Sequence, residues 1–270
     1  IYYQPTDTIQ IDETYHYRPR SDAANLELRY EDNSNRNYIS NRFTMDGEIN
    51  HGRSEELRQT LRTSRLSAGN YFNLIRNREN STWEFRSATQ YAYQPASLLL
   101  EEGKSKFNQH SFYTDNSAAY LRKYNGFTQQ YKAGIQGERA TMKYIPPTQP
   151  NDFNASNLSL YFNPYFQLQR GKGLATLSLP LKAQRYFSQQ RSFLFFNPST
   201  YLRYKLDYHW TFSLYGSLKR SAGDFSDLYP GLYQTDYRTW RSGNGLFPTS
   251  TTQTYNLYGE YKNTVQEFFV

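Results

Sequence analysis

The sequence predicts an all-β chain: a membrane-spanning antiparallel β-barrel of about twelve strands, or a large part of a bigger one. Three observations predict it. Side chains alternate between apolar and polar along most of the chain. The links between alternating segments run short, then long. The composition is polar on average yet rich in aromatics: mean hydropathy is −0.89, while 18% of the 270 residues are aromatic, with 27 Tyr and 18 Phe. A disordered chain would be poor in aromatics. A wall with lipid on one face and water on the other averages out as polar. No run of about 18 apolar residues occurs, so a transmembrane helix is not expected.

Alternation is clearest over 157–170. There Leu158, Leu160, Phe162, Phe166 and Leu168 oppose Asn157, Ser159, Tyr161, Asn163, Tyr165 and Gln167. Successive side chains of a strand point to opposite faces, so this segment has one apolar and one polar wall. Leu194, Phe196, Leu202 and Tyr204 likewise oppose Asn197, Arg203 and Lys205, and Trp210, Phe212 and Leu214 oppose Thr211, Ser213 and Lys219. The strands read in this way cover 6–18, 24–32, 37–50, 60–77, 81–98, 107–123, 126–144, 157–170, 173–187, 193–207, 209–221 and 252–268. The segment 107–123 alternates poorly. Pro164 and Pro198 fall inside strands, where each removes a ladder donor.

The links at 77–80, 124–126, 170–173 and 207–208 are tight, whereas those near 51–60, 99–106, 145–156 and 222–251 are longer. Outer-membrane barrels have short periplasmic turns and long outside loops. On this rule 222–251 is an external loop. Its Tyr229, Tyr233, Tyr237, Arg238, Trp240 and Arg241 form the aromatic-plus-arginine set that anchors ligands and partners; a packed structural loop is the equal alternative. On the polar face, Arg65, Lys132, Arg203, Lys205 and Lys219 are expected to face the lumen and to favour anionic ligands.

The chain carries a net charge of +7 and no cysteine. Lys and Arg are scattered rather than clustered, which argues against nucleic acid. Without cysteine there is no thiolate metal site, and none of His16, His51, His110 and His209 stands at a metal-ligand spacing from another. His110 with Ser111 and Asp115 could be drawn as a hydrolase triad, but a solvated loop histidine is the simpler reading. Asp32, Asn33, Ser34 and Asn35 read as a turn rather than a calcium loop. No cofactor, no metal and no enzymatic activity are expected.

Three runs resemble the barrel of TonB-dependent outer-membrane receptors from Bacteroidetes. They are Gly231-Leu232-Tyr233-Gln234-Thr235-Asp236-Tyr237-Arg238-Thr239-Trp240, which follows Leu228-Tyr229-Pro230, then Met45-Asp46-Gly47-Glu48-Ile49-Asn50, and Tyr93-Gln94-Pro95-Ala96-Ser97-Leu98. The resemblance implies a barrel of about twenty-two strands, a plug inside it, and nutrient uptake energised by a TonB complex. It also implies the lipid bilayer and a surface lipoprotein as partners, and a glycan, peptide or siderophore-type ligand. About half the strands are present and no plug or TonB box is identified. The start at Ile1 and the ending Phe268-Phe269-Val270 suggest an interior segment of a longer receptor, with 1–270 forming one barrel domain or partial barrel. The alternatives are a self-contained twelve-stranded outer-membrane pore or barrel enzyme, and a soluble β-rich binding module.

Overall fold

The computed structural model describes residues 17–34, 36–54, 59–100, 103–145, 151–223, 232–234, 240–242 and 249–262. Seven long strands open the chain: β1 (Tyr17–Ser34), β2 (Asn37–Ser54), β3 (Gln59–Arg78), β4 (Ser81–Leu100), β5 (Gly103–Tyr124), β6 (Phe127–Ile145) and β7 (Asn151–Arg170). Each pairs antiparallel with the next. Shorter strands follow: β8 (Gly173–Ser178), β9 (Leu181–Tyr186), β10 (Arg191–Phe196), β11 (Ser199–Lys205), β12 (Trp210–Ala222), β13 (Leu232–Gln234), β14 (Trp240–Ser242) and β15 (Thr249–Tyr261). All but β13 and β14 belong to one 13-stranded sheet with β1 and β15 at its two ends.

β8 and β9 both pair with β7 in one unbroken register, so they are two halves of a single strand interrupted at Leu179 and Pro180. β10 and β11 are likewise halves of one strand, interrupted at Asn197 and Pro198. The cause is a line of prolines across neighbouring strands. Leu179 N donates to Pro164 O at 3.0 Å, Asn197 N to Pro180 O at 2.9 Å, and Leu218 N to Pro198 O at 3.0 Å. Each proline accepts one ladder bond and cannot return the other. Beyond this crease β10 pairs with β9 alone. The side chain of Asn197 spans to β12 instead: Arg220 N donates to Asn197 Oδ1 at 2.7 Å, and Asn197 Nδ2 donates to Arg220 O at 3.2 Å.

The long strands run further than alternation indicates. The expected break between 18 and 24 does not exist: β1 is continuous, and among the described residues it pairs on one side only, the edge position at which a proline such as Pro19 is tolerated. The expected strand at 6–18 lies outside the described residues except for its last two positions, which belong to β1. Asp32 and Asn33 are not in a turn but pair with Ile39 and Tyr38. The long link expected over 99–106 shrinks, because β4 reaches Leu100 and β5 starts at Gly103.

Burial is inverted relative to a water-soluble sheet. Directly paired residues share a face, so the register sorts every strand position. The buried side chains Ser67, Ala92, Ser117, Ala119, Ala140, Met142, Ala155, Asn157 and Ser159 all fall on the polar face. The exposed large apolar residues that lie in strands, among them Leu28, Phe85, Ile135, Leu160, Leu194, Phe212 and Leu257, fall on the opposite face, Tyr258 excepted. Curvature crowds side chains together on the inner side, where Tyr144, Tyr186 and Phe195 are buried beside the small and polar groups. In water the outer face would forgo about 1.5–3 kcal/mol per fully exposed large side chain, or tens of kcal/mol in all. The described residues contain no second sheet large enough to cover it. In a soluble sandwich each sheet buries its apolar face; here that face lies open among the described residues.

Candidate functional site

The site is the polar face where β5, β6, β7 and β9 meet. Register builds it in rows. Asp115 stands opposite Gln136, and Gln136 opposite Ser159. Tyr113 stands opposite Glu138, and Glu138 opposite Asn157. Ser117 stands opposite Gly134, Gly134 opposite Tyr161, and Tyr161 opposite Lys182.

Side chains tie these rows together. Tyr161 Oη donates to Asp115 Oδ1 at 2.7 Å, across the intervening strand β6. It passes over Gly134, where any Cβ would collide with the Tyr161 ring. Lys182 Nζ donates to Gln136 Oε1 at 3.1 Å, and Asn157 Nδ2 to Glu138 Oε2 at 3.2 Å. Lys132 Nζ lies 5.7 Å from the Tyr161 ring centre, within cation–π range. The Ser159 hydroxyl is fully buried, and neither it nor Asn157 Oδ1 has a hydrogen-bond partner among the described residues. A concave cavity of about 570 Å³ lies beside this network, with Gln136, Glu138, Asn157, Lys182, Tyr186 and Lys219 among its walls. The surface therefore offers cations, carboxylates and amides together. Such a surface can grip a polar ligand through several hydrogen bonds.

The register places Arg65, Lys132, Arg203, Lys205 and Lys219 on this same polar face. They are spread from β3 to β12 rather than gathered. Lys132 touches the network and Lys219 lines the cavity. In the segment 222–251 the structure adds a small hairpin, β13 with β14, in which Tyr233 pairs with Arg241 and Gln234 with Trp240. Tyr229, Tyr237 and Arg238 lie outside the described residues. His110 is not in a loop but in β5. Its Nδ1 lies 2.8 Å from Tyr91 Oη, and its ring stacks on Tyr93 at 4.5 Å. Ser111 and Asp115 point to the other face of that strand, so the three cannot form a triad.

Sequence reading gives no site role to Gln136, Glu138, Asn157, Tyr161 or Lys182, and names Asp115 only in the triad that the strand's two faces rule out. Asp115 sits in the poorly alternating segment, whose outward positions Thr114 and Asn116 are themselves polar. Those two are satisfied sideways: Ser87 Oγ donates to Asn116 Oδ1 at 2.6 Å, and Asn116 Nδ2 to Thr114 Oγ1 at 3.1 Å.

No protein-family model matches the sequence, and no curated protein matches it. Solved structures do share its fold. The ferric yersiniabactin uptake receptor FyuA from Yersinia pestis superposes with a TM-score of 0.58 at 11% identity, over 91% of this chain and 43% of that one. The ferric preacinetobactin receptor BauA from Acinetobacter baumannii gives 0.58 at 10% identity, over 91% and 45%. The alcaligin outer-membrane receptor FauA from Bordetella pertussis gives 0.50 at 13% identity, over 90% and 40%. The chain spans less than half the length of each. Its fold is that of the wall of an outer-membrane β-barrel receptor.

Proposed function

We propose that this chain is part of the barrel wall of a TonB-dependent outer-membrane receptor that imports a ferric siderophore-type chelate. The observation that carries the reading is the inverted wall: an apolar outer face, a hydrogen-bonding inner face, and the fold of receptors two of which are named for ferric complexes. The Bacteroidetes-like runs in the sequence support the same family. On this reading the polar face is the lumen, and the short-turn end is periplasmic. The cavity network and the five basic side chains line the ligand's path, and their positive charge suits an anionic chelate. The segment 222–251 captures ligand outside. The rest of the barrel, a plug, a TonB complex and a surface lipoprotein complete the machinery. The chain's role is transport without catalysis.

Growth tests the reading. The full-length protein, produced in an iron-starved host stripped of its own chelate receptors, restores growth on at least one ferric chelate from a panel. It does so only when TonB is present. Growth independent of TonB, or no chelate supporting growth while the protein is assembled in the outer membrane, overturns it.

A further inference from the structure

We propose that the wall is open sideways above the proline crease, between β10 and β12, and that this slot serves an anionic amphiphile. The head of the amphiphile sits in the inner-face cavity, and its acyl chain passes out through the slot toward the outer leaflet. This rests on the outer-membrane reading above and gives the anionic ligand of that reading an acyl chain.

Strand pairing makes the opening. Below the crease β11 bridges β8 and β12. Above it β10 keeps β9 and has no pairing with β12. The register of β11 with β12, continued upward, sets Asn197 level with Lys219, Phe196 with Arg220, and Leu194 with Ala222. At the foot of the slot the Asn197 side chain ties the two strands together through both backbone groups of Arg220. Backbone groups along a strand point alternately to its two neighbours. Asn197 N turns to Pro180 beside β9, and Arg220 N turns toward β10. The backbone groups of Leu194, Phe196 and Ala222 therefore face the slot. An open edge is not tolerated against hydrocarbon, only where water or protein reaches it. The outward residues of β12 agree with that height: Phe212, Leu214 and Leu218 are apolar, and Arg220 is the first charge above them.

Two observations join the slot to both faces. The cavity of about 570 Å³ is bounded by the inward residues Glu138, Lys182, Phe195 and Lys219, and also by Arg220 and Ala222, which alternation turns outward. Ala222 packs against the apolar cluster of the inner face as well. That cluster is out of place on a wet wall. It holds Met142, Tyr144 and Tyr186, with the rings of Phe193 and Phe195 stacked 5.7 Å apart beside it. Around the cavity Lys182, Lys219 and Arg220 outnumber the Glu138 carboxylate. Apolar surface next to net positive charge suits an acyl chain joined to an anionic head. On the outside, Leu194, 73% exposed, and Phe196 offer the emerging chain an apolar track.

The test uses the full-length protein in phosphatidylcholine nanodiscs, photolysed with a long-chain fatty acid that carries a diazirine close to its carboxylate. Labelled residues are mapped by mass spectrometry. The expected result is labelling of the inward Tyr186 and Phe195, whereas the same acid with its diazirine at the chain end labels the outward Leu194 and Phe196. The methyl ester of the first acid labels the inward pair at least about tenfold less, and so does the acid itself on the double variant Lys182→Gln, Lys219→Gln. Ala222→Trp fills the slot and Pro198→Val extends pairing into it; each removes the inward labelling. Heat-modifiable gel mobility verifies assembly, and if one slot variant does not assemble the other decides. Outward labelling alone from both acids, the pattern expected if another part of the full chain fills the slot, overturns the inference. Inward labelling that survives in an assembled slot variant, or that the ester matches, overturns it too. A wild-type protein that does not insert into bilayers at all overturns the outer-membrane reading instead.

Discussion

Tyr161 reaches Asp115 only because residue 134, which lies between them, has no side chain. A Cβ there would meet the Tyr161 ring and stand 2.7 Å from the Asn116 carbonyl oxygen. One contact is with a movable ring and the other with backbone, so the strain cannot be relieved by the ring alone. Gly134→Val is expected to destabilise the assembled protein by about 1–3 kcal/mol, the usual range for overpacking. Adding Tyr161→Ala should recover part of that cost, not all, because the carbonyl remains. Urea unfolding in lipid vesicles measures both, and strictly additive costs would disprove the coupling. The faces of Lys132 and Tyr161 are legible in the sequence, because alternation assigns them. Their partnership is not. It depends on which residue of β6 stands between β5 and β7, and a shift of register by one residue would exchange the faces.

The turns and the crease set that register. At 206–209, Asp207 Oδ1 accepts hydrogen bonds from the backbone N–H groups of His209 and Trp210, each at 2.8 Å. The Trp210 bond, with the His209 bond behind it, holds the Asp207 carboxyl below the usual aspartate range. A depressed folded-state value contributes stability above the unfolded aspartate value, and that contribution is lost as pH falls through the folded one. Amide exchange at His209 and Trp210, corrected for its intrinsic rate, should therefore quicken as pH drops below the ordinary aspartate range. Asp207→Ala should abolish the dependence; a variant that keeps it would refute the assignment. The proline crease is the larger device at this scale. Pro164 and Pro198 were visible as anomalies in sequence, but their alignment with Pro180 was not, because it exists only once the strands are registered. Pro198→Val supplies the missing donor toward Leu218 and should extend pairing into β10. Slower amide exchange at Phe196 and Leu218 is expected, with a gain of about 0.5–1.5 kcal/mol for the bond restored. Unchanged exchange at both positions would show that the crease has another cause.

The whole molecule is a wall with two solvents. β1 to β7 are 18 to 22 residues long, while a tilted membrane strand needs only about 9–11. The apolar outward residues fill roughly that shorter length from the short-turn end, and Trp83 with Tyr120, ring centres 4.7 Å apart, marks its edge. Sequence reading recovered the wall and its two faces because alternation is a local property. It split β1 and cut β5 short at the charged and polar outward positions beyond the lipid, where alternation between apolar and polar disappears although the strand continues. The two-faced wall makes a sharp prediction at adjacent residues of one strand. Ile135 is 41% exposed on the apolar face, and Gln136 stands opposite Asp115 on the polar face. Both sit at the same depth and bear the same backbone constraints. Ile135→Arg moves a charge into hydrocarbon and should cost about 2–4 kcal/mol. Gln136→Arg sacrifices one hydrogen bond from Lys182 but gains a carboxylate opposite, so its cost should stay below about 1 kcal/mol. Urea unfolding in vesicles, paired with the heat-modifiable fraction on gels, separates the two. Equal costs would mean that both faces meet the same medium, and the wall would then not divide lipid from water.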